Sequence, residues 1–267
     1  MTERRRSAGH LSVKKAAAPK TSAPRGPAYT PPEHWYTTTL GELLGGLRST
    51  PEFFAVPGVP TSERPLSPSM ELYYSGDLQL VRRPCVAVVG TRNVSPEGAA
   101  RARRLARELV AAGVVVVSGL AKGVDTEALT AAIEAGGKVV AVIGTPLEQA
   151  YPAENKRLQE RIYREHLLVS QFPAGSRTFQ ANFPLRNRTM ATISDATVII
   201  EAGETSGTLH QAVACNRLGR WLFITRAVAE DTRLTWPANF LSQKNARVLT
   251  ATEDVVSVLK ETAAWGA

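Results

Sequence analysis

Cysteine is nearly absent: Cys85 and Cys215 are the only two in 267 residues. Cys85 falls in a buried-strand pattern and Cys215 in a helical one, which argues against a disulfide framework or a zinc cluster and leaves both as reduced core residues. The four histidines show no metal-ligand spacing, so no metal site is expected. No stretch reaches the ~18 consecutive apolar residues of a membrane helix. The basic N-terminus has no apolar segment behind it, so no secretory signal is read, and the cytoplasm is the expected compartment. The dinucleotide fingerprint G-x-G-x-x-G is missing as well, which disfavours an NAD site, and no cofactor is expected.

What is present is enough apolar content, 43% of the chain, for a sizeable core in one large domain or one domain with extensions. The formal charge of +8 is unevenly spread. Residues 1–28 hold Arg4, Arg5, Arg6, Lys14, Lys15, Lys20 and Arg25 against Glu3 alone, or +6, which leaves +2 for residues 29–267. That first stretch is rich in Ala, Pro and Ser and cannot bury enough to fold, so it reads as a disordered basic tail. Sequence-blind contact with nucleic acid and plain solvation are both open to it. Residues 29–80 mix prolines with short helical patches such as 40–47 and form an irregular or helical preface. His34, Trp35, Tyr36, Phe53 and Phe54 anchor it, and 70–80 close it as a strand and turn. The main domain is read over 81–262.

That domain opens on CVAVVGTRNVSPEG. Five apolar residues run unbroken over 85–89, as in a strand buried on both faces; Gly90 ends it and a helical pattern begins at Pro96. A strand, a tight loop and a helix N-terminus gather free N–H groups and the positive end of a helix dipole, which attract phosphate or carboxylate. Arg92 sits in that loop with Thr91 and Ser95. Its guanidinium can fork onto a phosphate, the hydroxyls can donate, and Ser95 can cap the helix that starts at Pro96. An ordinary βα turn with a solvated arginine fits these residues equally well.

Helix 96–112, strand 114–118, helix 122–135 and strand 139–143 follow. Then come helix 154–164, strand 167–170, helix 186–193, strand 197–201, helix 206–218, short strands 221–225 and 247–249, and a closing helix 252–260. The alternation predicts an α/β fold, a Rossmann-like, doubly wound, mostly parallel sheet with helices on both faces. Ligands of such a sheet gather at the carboxyl ends of its strands. Besides Gly90, Thr91, Arg92 and Ser95, the second of these strands delivers Ser118, Gly119 and Lys122 there, and the third delivers Tyr151-Pro152 and Lys156. The fourth leads to Arg186, Asn187 and Arg188, and the fifth to Glu201 and then Ser206, Gly207 and Thr208 at another helix N-terminus. Singly, each has a bland explanation as a glycine turn, a helix cap or, for Asp125 and Asn187, a side chain tying down a loop. Together they predict an anion pocket. Phe172, Phe179 and Phe183 lie in or beside its loops, where stacking on a base and anchoring the loop are both open.

The blocks GTRNVSPEG, SGLAKGVD, GTPLEQAYPAEN, FPLRNR and EAGETSG, in that order, followed by PANFLSQKNARVLTATEDV, resemble the DNA-processing protein A family, also called Smf. The likeness covers about residues 70–256. It implies an extended Rossmann fold, a homodimer, binding of single-stranded DNA taken up or exposed in the cell, and delivery of that strand to the RecA recombinase during natural transformation. Neither catalysis nor a cofactor is implied. By the same match Arg92, Lys156, Arg186 and Arg188 become candidates for phosphate contact, with Gly90, Ser118, Gly119 and Ser206 shaping the pocket. The chain departs from the family pattern at Leu129, at Gln171 and at Thr225-Arg226. The C-terminal winged-helix domain common in the family is not expected after Lys260.

A competing reading is an enzyme on the same sheet. RNRTMATISDATVIIEAGETSGT also resembles the nucleotide phosphoribohydrolase (lysine decarboxylase-like) family, which places a catalytic carboxylate just after Gly-Thr. Here Leu209-His210-Gln211 follows, so hydrolysis would need Glu201 or Glu204 as a substitute. A non-catalytic sensor of a nucleotide signal is the third reading of the same pocket. His210 reads as polar surface.

Overall fold

Runs of Val and Ile bounded by glycine or polar residues make the central strands. The computed structural model describes residues 28–45 and 66–261. The basic tail, but for its last residue, lies outside the described residues, as do Phe53, Phe54 and position 262. The strands are β1 (Tyr36–Thr39), β2 (Glu71–Gly76), β3 (Cys85–Val89), β4 (Val115–Ser118), β5 (Val139–Ile143), β6 (Leu167–Ser170), β7 (Ala196–Ile199), β8 (Trp221–Thr225) and β9 (Ala246–Leu249). They form one sheet in the order β1-β2-β6-β5-β4-β3-β7-β8-β9. From β6 across to β9 every pairing is parallel, whereas β1 on β2 and β2 on β6 are antiparallel.

Helices cover both faces, which is why β3, β4 and β5 read as continuous apolar runs rather than as alternating patterns. On one face α2 (Pro96–Ala111), α3 (Val124–Glu134), α4 (Lys156–Glu165) and α9 (Thr252–Glu261) set Leu105, Leu129, Ile162 and Val258 against Val86, Val88, Val116 and Ile143. On the other, α1 (Leu40–Leu44), α5 (Asn182–Ile193), α6 (Thr208–Arg217), α7 (Arg226–Ala229) and α8 (Trp236–Leu241) set Leu43, Met190, Cys215 and Phe240 against Ala87, Val89, Val117 and Val142. Successive residues of β3 thus serve opposite cores, as the two-residue period of a strand dictates. Each fully buried Leu among them contributes about 1.5–3 kcal/mol. Cys85 and Cys215 are buried and form no disulfide, and burial pushes the Cys215 thiol up to about 12, far from a reactive thiolate.

The chain leaves β3 through α2 to reach β4 on one side, and returns through α5 to β7 on the other. Strand order therefore reverses between β3 and β7. At such a switch point the loops leaving the two strands part in opposite directions and open a crevice outside their carboxyl ends.

Several elements differ from the sequence reading, each for a local reason. α5 starts at Asn182 rather than Arg186; Pro184 reads as a breaker, yet it stands in the first turn, where a helix N–H has no partner to lose. α3 starts at Val124, not Lys122, because Gly123 takes a φ of 73°, a left-handed conformation that ends the preceding loop. β7 stops at Ile199 and α6 starts at Thr208, so 200–207 is a loop instead of strand and helix. The stretch read as irregular supplies β1, held by its register Tyr36↔Tyr74 on β2; four residues are too few to display a period. α7 and α8 are additions to the expected elements.

Candidate functional site

A cavity of about 870 Å³ occupies the crevice at the switch point. Its back wall is set by close backbone approach. Gly90 has no room for a side chain: a Cβ there would stand 2.5 Å from Val124 Cγ2 and 2.7 Å from the Glu201 carbonyl oxygen. Gly123 is equally confined, with a Cβ 2.4 Å from the Thr91 carbonyl oxygen. In return Thr91 N donates to Glu201 O at 2.7 Å and Val124 N to Thr91 O at 3.2 Å, so the loops after β3, β4 and β7 lock together. Arg92 projects from this knot, exposed at the rim.

Beside Arg92 stands an aromatic cluster. Arg92 Cζ is 5.5 Å from the Phe183 ring centroid, within cation–π range. Phe183 lies 5.3 Å from Tyr151 at an interplanar angle of 40°. Phe179 is 61% exposed and Tyr151 49%, and both rings line the cavity; large apolar rings left open to water at a cavity mouth are available for contact with a ligand. Phe172, by contrast, is not among the lining residues.

The opposite wall is the N-terminus of α6. Ser206, Gly207 and Thr208 line the cavity there; Thr208 N donates to Ser206 Oγ at 3.3 Å, and Asn187 Nδ2 holds the Gly207 carbonyl at 3.2 Å. The dipole of a ten-residue helix points its positive end at the hollow. Exposed His210 also lines it, where the sequence suggested only polar surface.

Of the predicted residues, Gly90, Thr91, Arg92, Arg186, Asn187, Ser206, Gly207 and Thr208 meet in this cavity, and Ser95, Ser118, Gly119, Lys122, Lys156 and Arg188 do not line it. Ser95 caps α2 by accepting from Gly98 N at 2.9 Å. The Ser118 hydroxyl, fully buried, donates to Val88 O at 2.7 Å. Lys122 pairs with Glu154. Lys156 and Arg188 are half-buried, on α4 and α5 respectively.

Arg186 reaches the cavity in a different role from the one expected of a free cation. It is 5% exposed. Its Nη1 donates to the carbonyls of Gly119 and, at 2.7 Å, Val142, and its Nε to Asn187 Oδ1 at 2.9 Å. Burial, with the Arg92 charge adding to it and Asp125 opposing, lowers its pKa to about 10; it remains a cation at neutral pH. Asp125 is buried too and accepts from Gly119 N at 3.0 Å and Ala121 N at 3.3 Å. Burial pushes its carboxyl upward, against the pull of Arg186 and of these two amides. Asp125 and Arg186 both hold the backbone of the β4–α3 loop, in which Leu120 holds a φ of 59°, a strained conformation of the kind that gathers at functional sites.

Asp125 is the one carboxylate among the described residues lining the cavity. Glu201 is turned away: its two oxygens accept from Ser95 N at 3.1 Å and Ser95 Oγ at 2.5 Å. Glu204 accepts from Thr235 N at 3.0 Å. Neither is aimed at a substrate in the hollow.

One further network supports the outer wall. Tyr29 Oη donates to Leu147 O at 2.8 Å; Gln159 Nε2 donates to Tyr29 Oη at 2.9 Å and to Gln149 O at 3.0 Å; and Thr178 Oγ1 donates to Gln149 Oε1 at 2.9 Å. Thr178 and Phe179 sit on the wall so held. The sequence placed Tyr151-Pro152 at this carboxyl edge, and Tyr151 does line the cavity; its ring contact with Phe183 and the Tyr29–Gln159–Gln149–Thr178 network were not read there.

Fold and cavity together define a Rossmann-like α/β protein whose ligand crevice lies at the switch point of its sheet. Residues 61–260 match the family described as DNA recombination-mediator protein A, and the chain belongs to that family. It is 39% identical over 186 residues to DNA processing protein DprA of Streptococcus pneumoniae, an alignment that takes in 70% of this chain and 65% of the relative. The X-ray structure of that S. pneumoniae protein matches with a TM-score of 0.63 at 37% identity, over 72% of this chain and 68% of the other. DNA processing protein A from Helicobacter pylori, whose structure concerns its single-stranded DNA binding mode, gives a TM-score of 0.63 at 26% identity, over 84% and 96% of the two chains. The chain spans 40% to 65% of the length of the first curated relatives it matches.

Proposed function

We propose that this chain is a non-catalytic, cytoplasmic single-stranded DNA-binding protein of the DNA-processing type, which grips the sugar-phosphate backbone in the switch-point cavity. The observation that carries the reading is Arg92 set over the Phe183 ring at the cavity mouth, with Tyr151 against Phe183 and Phe179 on the same lining. Single-strand binding needs a cation for the phosphates and π-faces for the bases, and both are presented side by side. Thr91, Ser206 and Thr208 add hydroxyls, and the N-terminus of α6 adds the positive end of its dipole, on the side where a phosphate would sit. Gly90, Gly207 and Asn187 shape that side. Family membership supports the same reading, as does the DNA-binding mode described for the H. pylori relative. The placement of Glu201 and Glu204 away from the hollow favours binding over N-glycosidic cleavage. In this reading the protein shields the strand as a homodimer and passes it to a RecA-type recombinase in recombination or transformation.

Anisotropy titration of labelled single strands tests it. Arg92→Ala weakens binding to unrelated sequences alike and lowers the salt slope by about 0.7 for each phosphate no longer neutralised. Unchanged affinity and unchanged slope in a folded variant would sink the proposal.

A further inference from the structure

A second cavity opens at the same edge of the sheet, on the face covered by α2 and α9. It measures about 290 Å³ and lies outside the carboxyl ends of β7, β8 and β9. Arg101, Arg104, Glu108, Thr225, Arg226 and Thr252 wall it, and it shares no lining residue with the larger cavity.

The cations on its wall differ in how they are held. Arg104 is occupied, its Nε donating to Glu108 Oε1 at 2.7 Å, while the other Glu108 oxygen accepts from Thr252. Arg101 is not: its Nη2 stands 3.6 Å from Glu201 Oε2, an oxygen that already accepts from Ser95 Oγ at 2.5 Å. Arg101 Nε is buried without an acceptor among the described residues. Arg226 Nε stands 3.9 Å from Glu230 Oε1. Both distances are too long for a hydrogen bond.

A guanidinium nitrogen cut off from water and from any acceptor is unfavourable. Two guanidinium groups lining one hollow match the oxygens of a phosphate, Arg101 through its terminal nitrogens, since its Nε is buried, and Arg226 as a fork. The ten-residue helix α9 begins at the same wall with Thr252, but Asp254 in its first turn already accepts from Thr250 N and Ala251 N, so the attraction for an anion rests on the arginines. No aromatic ring lines the hollow among the described residues, so recognition falls on the phosphate and not on a base. Its volume is at the lower end of the ~300–1,000 Å³ typical of ligand sites, room for one nucleotide and not for a run of them.

We propose that this second cavity is a phosphate-binding site, in which Arg101 and Arg226 hold the phosphate of a single nucleotide unit, either free or at the end of a strand. The site stands whether or not the larger cavity binds single-stranded DNA.

The test is a titration of the full chain with inorganic phosphate, followed residue by residue through the amide resonances of Ala227 and Thr250 for this site and of Thr91 and Ser206 for the larger one. Phosphate shifts the first pair in the wild type. Arg226→Ala, which removes a side chain 61% exposed, and Arg101→Lys, which keeps the charge facing Glu201, each weaken that response about tenfold at unchanged melting temperature, as loss of a charge-assisted hydrogen bond implies. Arg92→Ala leaves it intact. Thymidine monophosphate and 5′-phosphorylated against 5′-hydroxyl oligonucleotides then separate the two sources. A gain from the 5′-phosphate that Arg226→Ala abolishes marks a strand end, and equal affinity of the two oligonucleotides with binding of the monophosphate marks a free nucleotide. Shifts confined to Thr91 and Ser206, or a response of Ala227 and Thr250 indifferent to both Arg101→Lys and Arg226→Ala, overturn the proposal.

Discussion

Arg186 Nη1 presses so closely on Gly119 that a Cβ on the glycine would stand 2.2 Å from it. The arginine therefore braces the back of the crevice, and its four-way engagement with Gly119, Val142, Asn187 and Asp125 makes it part of the framework. Gly119→Ala is expected to destabilise by about 1–3 kcal/mol through overpacking. Arg186→Met leaves the Gly119 and Val142 carbonyls and Asn187 Oδ1 without their buried donor and is expected to lose about 1–3 kcal/mol. Urea unfolding measures both. An Arg186→Met protein of wild-type stability with weakened ligand affinity alone would show that the residue serves binding and not architecture.

Glu201 should act the same way at longer range. Replacing it by Ala leaves Ser95 N and the start of α2 without their acceptor, at about 1–3 kcal/mol for a donor left unsatisfied. Hydrogen exchange over the first turn of α2 is expected to quicken while the opposite edge of the sheet is unchanged. If Glu201→Ala instead left α2 protected but abolished release of free base from a nucleoside monophosphate, the enzymatic reading would return.

The rings at the mouth divide the labour with Arg92. Phe179→Ala should weaken single-strand binding by about 1–3 kcal/mol, the usual contribution of one stacked base, without altering the salt slope, since no charge is removed. With its ring 61% exposed, the substitution leaves the melting temperature where it was. A changed slope at unchanged affinity would contradict this assignment of roles.

His166 gives a dependence on pH. It is 5% exposed, and burial first, then the Lys138 charge, holds its imidazole down from 6.5 to about 4; Glu165 pulls the other way and Arg161 adds to Lys138. Between those values the unfolded chain binds a proton that the native one refuses, so this residue withdraws stability as pH falls from 6.5 toward 4 and withdraws no more below that. The full effect is about 3 kcal/mol. His166→Gln should flatten the fall relative to wild type in melting curves taken across that interval, and parallel curves would refute the assignment.

Much of this architecture can be read from the chain because it is encoded locally. The β-branched runs of β3, β4 and β5 are bounded by glycine or polar residues, and Ser95 before Pro96 is a helix start in sequence as in structure. The candidate site is only half legible for the opposite reason. Arg92 and Arg186 look alike as residues in glycine-rich or helix-opening loops. One is solvent-facing and the other is enclosed, and what separates them is contact with Val142 and Gly119, 44 and 67 positions away. Lys122 likewise looks free until the fold brings Glu154 to it. Glu201 looks like a candidate catalyst until its oxygens meet a serine 106 residues earlier in the chain.

The Tyr29–Gln159–Gln149–Thr178 bonds have a practical corollary for anyone trimming the protein. Cutting before Trp35 would keep every side chain that faces the larger hollow, yet it would remove the hydroxyl at one end of a relay whose other end steadies Phe179. A shortened chain can thus look intact on paper and still grip its ligand loosely, because the brace for that rim is supplied from well outside the sheet's parallel half.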